Sequence, residues 1–127
     1  MDVEAKPIPD ERPLTAAEYR LARWMLEHGG AEAQSFLPQL ELARVVSRCP
    51  CGCASIDFEV AGHPRPVGGL RILGDFIYGD GSDLNGVFIF ERDGVLAGVE
   101  VYGLAGDAPQ TLPVPEALRP FGASPAA

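Results

Sequence analysis

Val87-Phe88-Ile89-Phe90-Glu91-Arg92, then Asp93-Gly94, then Val95-Leu96-Ala97-Gly98-Val99-Glu100-Val101-Tyr102, is the strongest hairpin signal in the chain. Two runs rich in β-branched and aromatic residues flank a dipeptide that tolerates positive φ, which a type I′ turn requires at both central positions. A two-residue hairpin loop is therefore predicted. In that register Arg92 opposes Val95, Phe90 opposes Ala97 and Phe88 opposes Val99, and these pairs form one apolar face.

Upstream of the hairpin the pattern continues as strands. Leu70 to Tyr78 reads as a strand bent near Gly74, Ile56 to Val60 alternates with Ile56, Phe58 and Val60 on one face, and Leu40 to Arg48 is a further candidate. Earlier still the period changes. Thr15 followed three positions later by Glu18 is a capping box, with Leu14 and Tyr19 placed to close a hydrophobic staple. Leu14, Ala17, Leu21, Trp24 and Met25 then recur at helical spacing, and Gly29-Gly30 supplies a stop behind His28. A helix over 15–28 is predicted, with a shorter one from Ala31 to Leu37 ended by Pro38. A helical turn is expected near Glu116–Arg119. Helices followed by runs of strands, with no α/β alternation, give an α+β class: an N-terminal helix and a short second one on a mostly antiparallel sheet of about five strands. A single domain over 14–121 follows, with residues 1–13, which carry Pro7, Pro9 and Pro13, as a flexible arm and 122–127 as a flexible tail.

The composition narrows the function classes. The formal charge is −8, and the ten Lys and Arg residues are dispersed, so a nucleic-acid backbone or an anionic membrane surface is an unfavourable partner. No stretch approaches the roughly 20 apolar residues that span a bilayer, and the first residues lack a secretory h-region. An odd number of cysteines without an export signal leads us to expect reduced thiols in a cytoplasm.

All three cysteines lie at alternate positions, Cys49-Pro50-Cys51-Gly52-Cys53, between two strand candidates. A bend at Pro50 and Gly52 would let their sulfurs converge. A closed zinc site wants four tetrahedral ligands, ordinarily from Cys-x-x-Cys pairs, so this spacing is unusual; His63 is the expected fourth ligand, with His28 as the other candidate. A redox role for two of the thiols and a catalytic Cys–His dyad with His63 are weaker readings, and small buried apolar cysteines at a hairpin bend are the plainest one. Asp80 opens a stretch superficially like a calcium loop, but Leu84 stands at a ligand position and Asn85 replaces the required glycine. Gly79-x-Gly81 lacks the third glycine and the helix of a dinucleotide cradle. Asp57, Glu59, Asp75, Glu91 and Glu100 alternate with apolar residues and read as a solvated strand face. No catalytic constellation is complete, and none of the residues is assigned a catalytic role.

Cys51-Gly52-Cys53-Ala54-Ser55-Ile56-Asp57-Phe58, with Leu96-Ala97-Gly98-Val99-Glu100-Val101-Tyr102 and Leu112-Pro113, resembles a group of small bacterial proteins of unknown function. These carry a Cys-Gly-Cys-x-Ser-x-x-Phe run and a closing Leu-x-Gly-Leu-Glu-Val-Tyr strand. The likeness covers 14–121, and Val99 stands where leucine is expected. The resemblance implies a bacterial origin and brings no activity with it. With no catalytic constellation complete and a charge of −8, a non-enzymatic protein-interaction module is expected, steered by its acidic surface. A metal or thiol site on Cys49, Cys51 and Cys53 is the alternative. Val95–Tyr102 carries one charge, Glu100, so it is expected to be central, covered, or paired with a second molecule in a homodimer.

Overall fold

The computed structural model describes residues 6–65 and 67–121. Seven strands form one antiparallel sheet: β1 (Ile8–Pro13), β2 (Ala43–Arg48), β3 (Ile56–Val60), β4 (Leu70–Tyr78), β5 (Asn85–Arg92), β6 (Val95–Gly103) and β7 (Arg119–Pro120), in spatial order β1-β2-β3-β6-β5-β4-β7. Helices α1 (Ala16–Glu27) and α2 (Leu37–Leu40) pack on it, which makes the fold α+β. The sheet is two three-stranded meanders, β1-β2-β3 and β4-β5-β6, with β7 returning to the outer side of β4; the two are joined where Ile56 pairs with Val99 and Asp57 with Gly98.

Helix α1 starts as its sequence dictates. The Glu18 N–H donates to Thr15 Oγ1 at 3.1 Å and the Thr15 N–H to Glu18 Oε1 at 2.9 Å. Arg12 reaches the same carboxylate at 2.8 and 2.9 Å, tying the helix start to β1. Leu21, Ala22, Met25 and Leu26 are buried against the sheet, and Ala17 lies outside that face. The helix ends where the chain must pass close to β4: a Cβ on Gly29 would sit 2.5 Å from the Leu73 carbonyl oxygen, and the Gly30 N–H donates to that oxygen at 2.8 Å.

The second helix differs from expectation. A 3-10 turn, Ala33–Phe36, leads into α2, and Pro38 sits in the first turn of α2 instead of ending a helix. A first-turn proline lacks only an N–H that would have had no intrahelical partner. The two strands missing from the sequence reading are the sheet's outer strands. Residues 8–13, read as part of an arm, pair with β2, and Arg119–Pro120 pairs with Phe76 and Ile77 of β4, downstream of a 3-10 turn at Pro115–Ala117. Both strands contain proline, which an edge tolerates because its outward N–H needs no partner. The remainder of the arm, residues 1–5, and the tail at 122–127 lie outside the described residues.

The hairpin turn is as read: Asp93 and Gly94 have φ of 52° and 79°, and Arg92 pairs with Val95. Beyond Glu91–Leu96 the register shifts, so Phe90 faces Gly98 and Phe88 faces Glu100, not Ala97 and Val99. The bulge splits the expected single apolar face. Val95 and Val99 join the core under α1 with Val87 and Ile89, while Phe88 and Phe90 lie on the opposite face. There Phe88 packs edge-on to Phe90 at 5.7 Å and against Tyr102 at 6.0 Å, and the Arg92 guanidinium lies 5.5 Å from the Phe90 ring. Strand β4 is bulged between Ile72 and Gly74, as its glycine suggested.

Strand β6 is interior, with β3 on one side and β5 on the other. The uncovered edge that motivated a homodimer through this strand is therefore filled within the chain.

Candidate functional site

The cysteines occupy the connection between β2 and β3. The Cys49 N–H donates to the Ser55 carbonyl at 3.2 Å and closes the loop; within it, the Gly52 N–H donates to the Cys49 carbonyl at 3.3 Å. Pro50 presets the second position of that tight turn, and Gly52 takes the φ of 91° that follows it. The consequence is convergence. The three sulfurs lie within 4.8 Å of one another, with Cys49 Sγ 2.8 Å from Cys51 Sγ. Backbone N–H groups point into the cluster: Cys51 N–H to Cys49 Sγ at 3.4 Å and Cys53 N–H to Cys51 Sγ at 3.3 Å.

The loop is anchored to distant parts of the chain. The Val101 N–H donates to Ser55 Oγ at 3.0 Å, which binds the loop to β6, and the Ala54 N–H donates to the Pro109 carbonyl at 2.9 Å. The Cys53 thiol donates to the same Ser55 oxygen at 3.4 Å. Cys51 is exposed, and Cys49 and Cys53 are half-buried.

The three thiols are not equivalent. Burial, followed by the facing sulfur of Cys51, pushes the Cys49 thiol up to about 12. Cys51 moves the other way: hydrogen bonds from the Cys49 and Cys53 thiols, then from the Cys53 N–H, hold it below the usual thiol value. The neighbouring thiols and backbone amides supply the donors.

Beside the loop, on the sheet face away from α1, runs a groove of about 380 Å³. Its lining includes Cys49, Cys51, Phe90 and Tyr102, with Asp57 and Glu100 adding carboxylates. Glu100 is held above the usual carboxylate range, first by lost hydration and then by the neighbouring Asp57. Asp57 accepts from Ser47 Oγ at 2.8 Å.

The expected fourth metal ligand is not part of this group. His63 lies in the exposed turn after β3, its N–H donating to the Val60 carbonyl at 3.1 Å, whereas the cysteines precede β3. Five residues of extended strand separate the two ends, so a Cys–His dyad with His63 is not assembled either. His28 is committed elsewhere, stacked on Trp24 at 4.2 Å between ring centroids. Among the described residues the metal-ligating group is Cys49, Cys51 and Cys53, close enough to hold one ion.

The supposedly solvated carboxylates divide three ways. Glu59 and Glu100 are exposed, Asp57 and Asp75 half-buried, and Glu91 is buried with 5% of its surface accessible. Asp75 accepts the Tyr102 hydroxyl at 3.0 Å. Glu91 points to the core side at the end of the hairpin, where it pairs with Arg71 and accepts the Gly94 N–H at 2.8 Å.

No helix among the described residues is long and apolar enough to cross a membrane. Comparison with protein-family models, with curated proteins and with solved structures finds no match, so the site is interpreted from its own chemistry.

Proposed function

We propose that Cys49, Cys51 and Cys53 bind a zinc ion as three thiolates, leaving its fourth position open. The convergence of the three sulfurs within 4.8 Å carries this reading. Sulfurs at the usual Zn–S distance around a tetrahedral ion lie about 3.8 Å apart, so modest side-chain rotations suffice to close around it. Soft thiolates favour zinc over hard cations such as magnesium or calcium. An open fourth position is the arrangement of a zinc that meets an external ligand, and the adjoining groove gives that ligand a place to lie. The test is elemental analysis of protein purified without a histidine tag. One zinc per chain is expected, lost when all three cysteines become serine. A parent protein without zinc, or a triple variant that retains it, overturns the reading.

A second reading is an interaction module that pairs with a second copy of itself. It is favoured by the outer side of β4, where β7 covers only Phe76 and Ile77. Upstream on that strand Leu70 and Ile72 remain 38% and 45% exposed. Apolar residues on an incompletely covered edge invite strand pairing, and two-fold pairing closes it. Sedimentation equilibrium at micromolar concentration would show a dimer that Ile72→Lys dissociates. A strictly monomeric parent removes this reading.

A further inference from the structure

We propose that Cys49 and Cys51 also form a dithiol–disulfide couple that exchanges with disulfides bearing neutral or cationic groups. Cys51 makes the first attack and Cys49 resolves it. The inference uses the same loop as the zinc reading but requires only two of its three thiols.

Three observations combine. The Cys49 and Cys51 sulfurs are 2.8 Å apart, and a disulfide bond is about 2.04 Å, so their closure needs a movement of about 0.8 Å. The exposures differ in the useful sense: Cys51 is open to an incoming molecule, while Cys49 is half-buried. Finally, both thiols line the 380 Å³ groove, where the aromatic rings of Phe90 and Tyr102 suit an apolar substituent. Asp57 and Glu100 in the same groove, on a chain of net charge −8, repel an anionic disulfide and attract a cationic one.

In the first step the Cys51 thiolate bonds to one substrate sulfur, and the other departs as a thiolate with the bonding pair. In the second, Cys49 gives its proton to the departed thiolate and attacks Cys51 Sγ, expelling the remaining substrate sulfur as a thiolate that takes from solvent the proton Cys51 had released. The protein dithiol is oxidised by two electrons, and the substrate disulfide is reduced to two thiols. A bridge between cysteines separated only by Pro50 closes a small ring. Such a strained disulfide is readily reopened by an external thiol, so the couple can cycle.

The test uses the full chain, reduced and stripped of metal, with cystamine and oxidised glutathione as probes and mass spectrometry as readout. With cystamine the parent should lose two hydrogens and retain no adduct. Cys49→Ser should instead accumulate a mixed disulfide on Cys51, and Cys51→Ser should react more slowly by about tenfold. The rate ratio of cystamine to oxidised glutathione should exceed that of free N-acetylcysteine and fall in the Asp57→Asn, Glu100→Gln double variant. A parent that stops at the mixed disulfide, or Cys51→Ser reacting as fast as the parent, overturns the couple. A ratio equal to that of the free thiol overturns the substrate class. Cys53→Ser separates this inference from the zinc reading, because it should abolish zinc binding while cystamine still removes two hydrogens from the variant, at a rate changed by the loss of the Cys53 thiol beside Cys51; a variant that forms no Cys49–Cys51 disulfide overturns the two-thiol assignment.

Discussion

Two hairpin connections solve the same geometric problem differently. Between β5 and β6 the chain reverses through Asp93-Gly94, and the reversal is held by groups from outside the loop. Glu91 accepts the Gly94 N–H, and Gln39 of α2 donates to the Gly94 carbonyl at 2.9 Å while accepting the Leu96 N–H at 2.8 Å. Between β2 and β3 the reversal takes residues 49–55; it is tied down through Ser55 and Ala54, and three sulfur atoms converge inside it. The first connection spends its polar groups on rigidity. The second leaves three reactive side chains facing one another at the surface, where loops can carry chemistry on a rigid scaffold.

Removing the Glu91 carboxylate should break the contrast most. Glu91→Ala leaves the Gly94 N–H without its acceptor and strips Arg71 of a partner, at a cost of about 2 kcal/mol in denaturant unfolding. The cost should depend on pH. Burial acts to raise the Glu91 pKa, but Arg71 and the Gly94 N–H outweigh it, so the folded value lies below the ordinary 4.5. A depressed folded pKa stabilises fully above the unfolded value and loses that contribution as pH falls through the folded one. Parent and variant stabilities should therefore converge below pH 4.5. A gap that stays constant down to the acid transition would mean that the carboxylate's charge is not involved.

A matched pair of substitutions sharpens the comparison with a smaller effect. Gly94 and Gly52 both have positive φ and open space where a Cβ would go. Gly94→Val should cost about 1 kcal/mol or more, because a β-branched residue resists that conformation inside a clamped turn. Gly52→Val should cost less than half as much in stability, since its loop can relax, yet it should weaken zinc binding by spreading the thiols. Equal losses of stability would show that the cysteine loop is as tightly held as the Asp93-Gly94 turn.

Local chemistry made the legible parts legible. Thr15 and Glu18 announce a helix start within four residues, and Asp93-Gly94 announces a turn within two. What escaped depends on partners distant in sequence. Prolines at 9, 13 and 120 argue against strands until a place at the sheet's margin is known. The register shift beyond Glu91 is fixed where β3 crosses β6: a Cβ on Gly98 would lie 2.5 Å from the Ile56 carbonyl oxygen, so only glycine lets the strands meet there. Glu91 alternates with apolar residues like any solvated strand acid, and its burial depends on Arg71 from a different strand. At the candidate site the cysteine spacing gave the cluster but not its ligand set, because β3 carries His63 away from it. The groove was hidden for a similar reason, being assembled from strands and a loop far apart in the chain.

The join between the two meanders has a consequence for the order in which the protein opens and closes. The pairs β2–β3, β4–β5 and β5–β6 join strands adjacent in sequence, whereas the two register pairs of the join span more than forty residues, from Ile56 and Asp57 to Val99 and Gly98, as do the pairs of β4 with β7. Local pairings form quickly, and long-range ones must first overcome the entropy of loop closure. The join thus forms later than the hairpins on either side of it and parts before them, a boundary between cooperative units that native-state hydrogen exchange would detect as unequal protection on its two sides. Asp57 and Glu100 stand on opposite banks of that boundary, so the groove exists only while the units are docked, and the cysteine loop travels with the first of them.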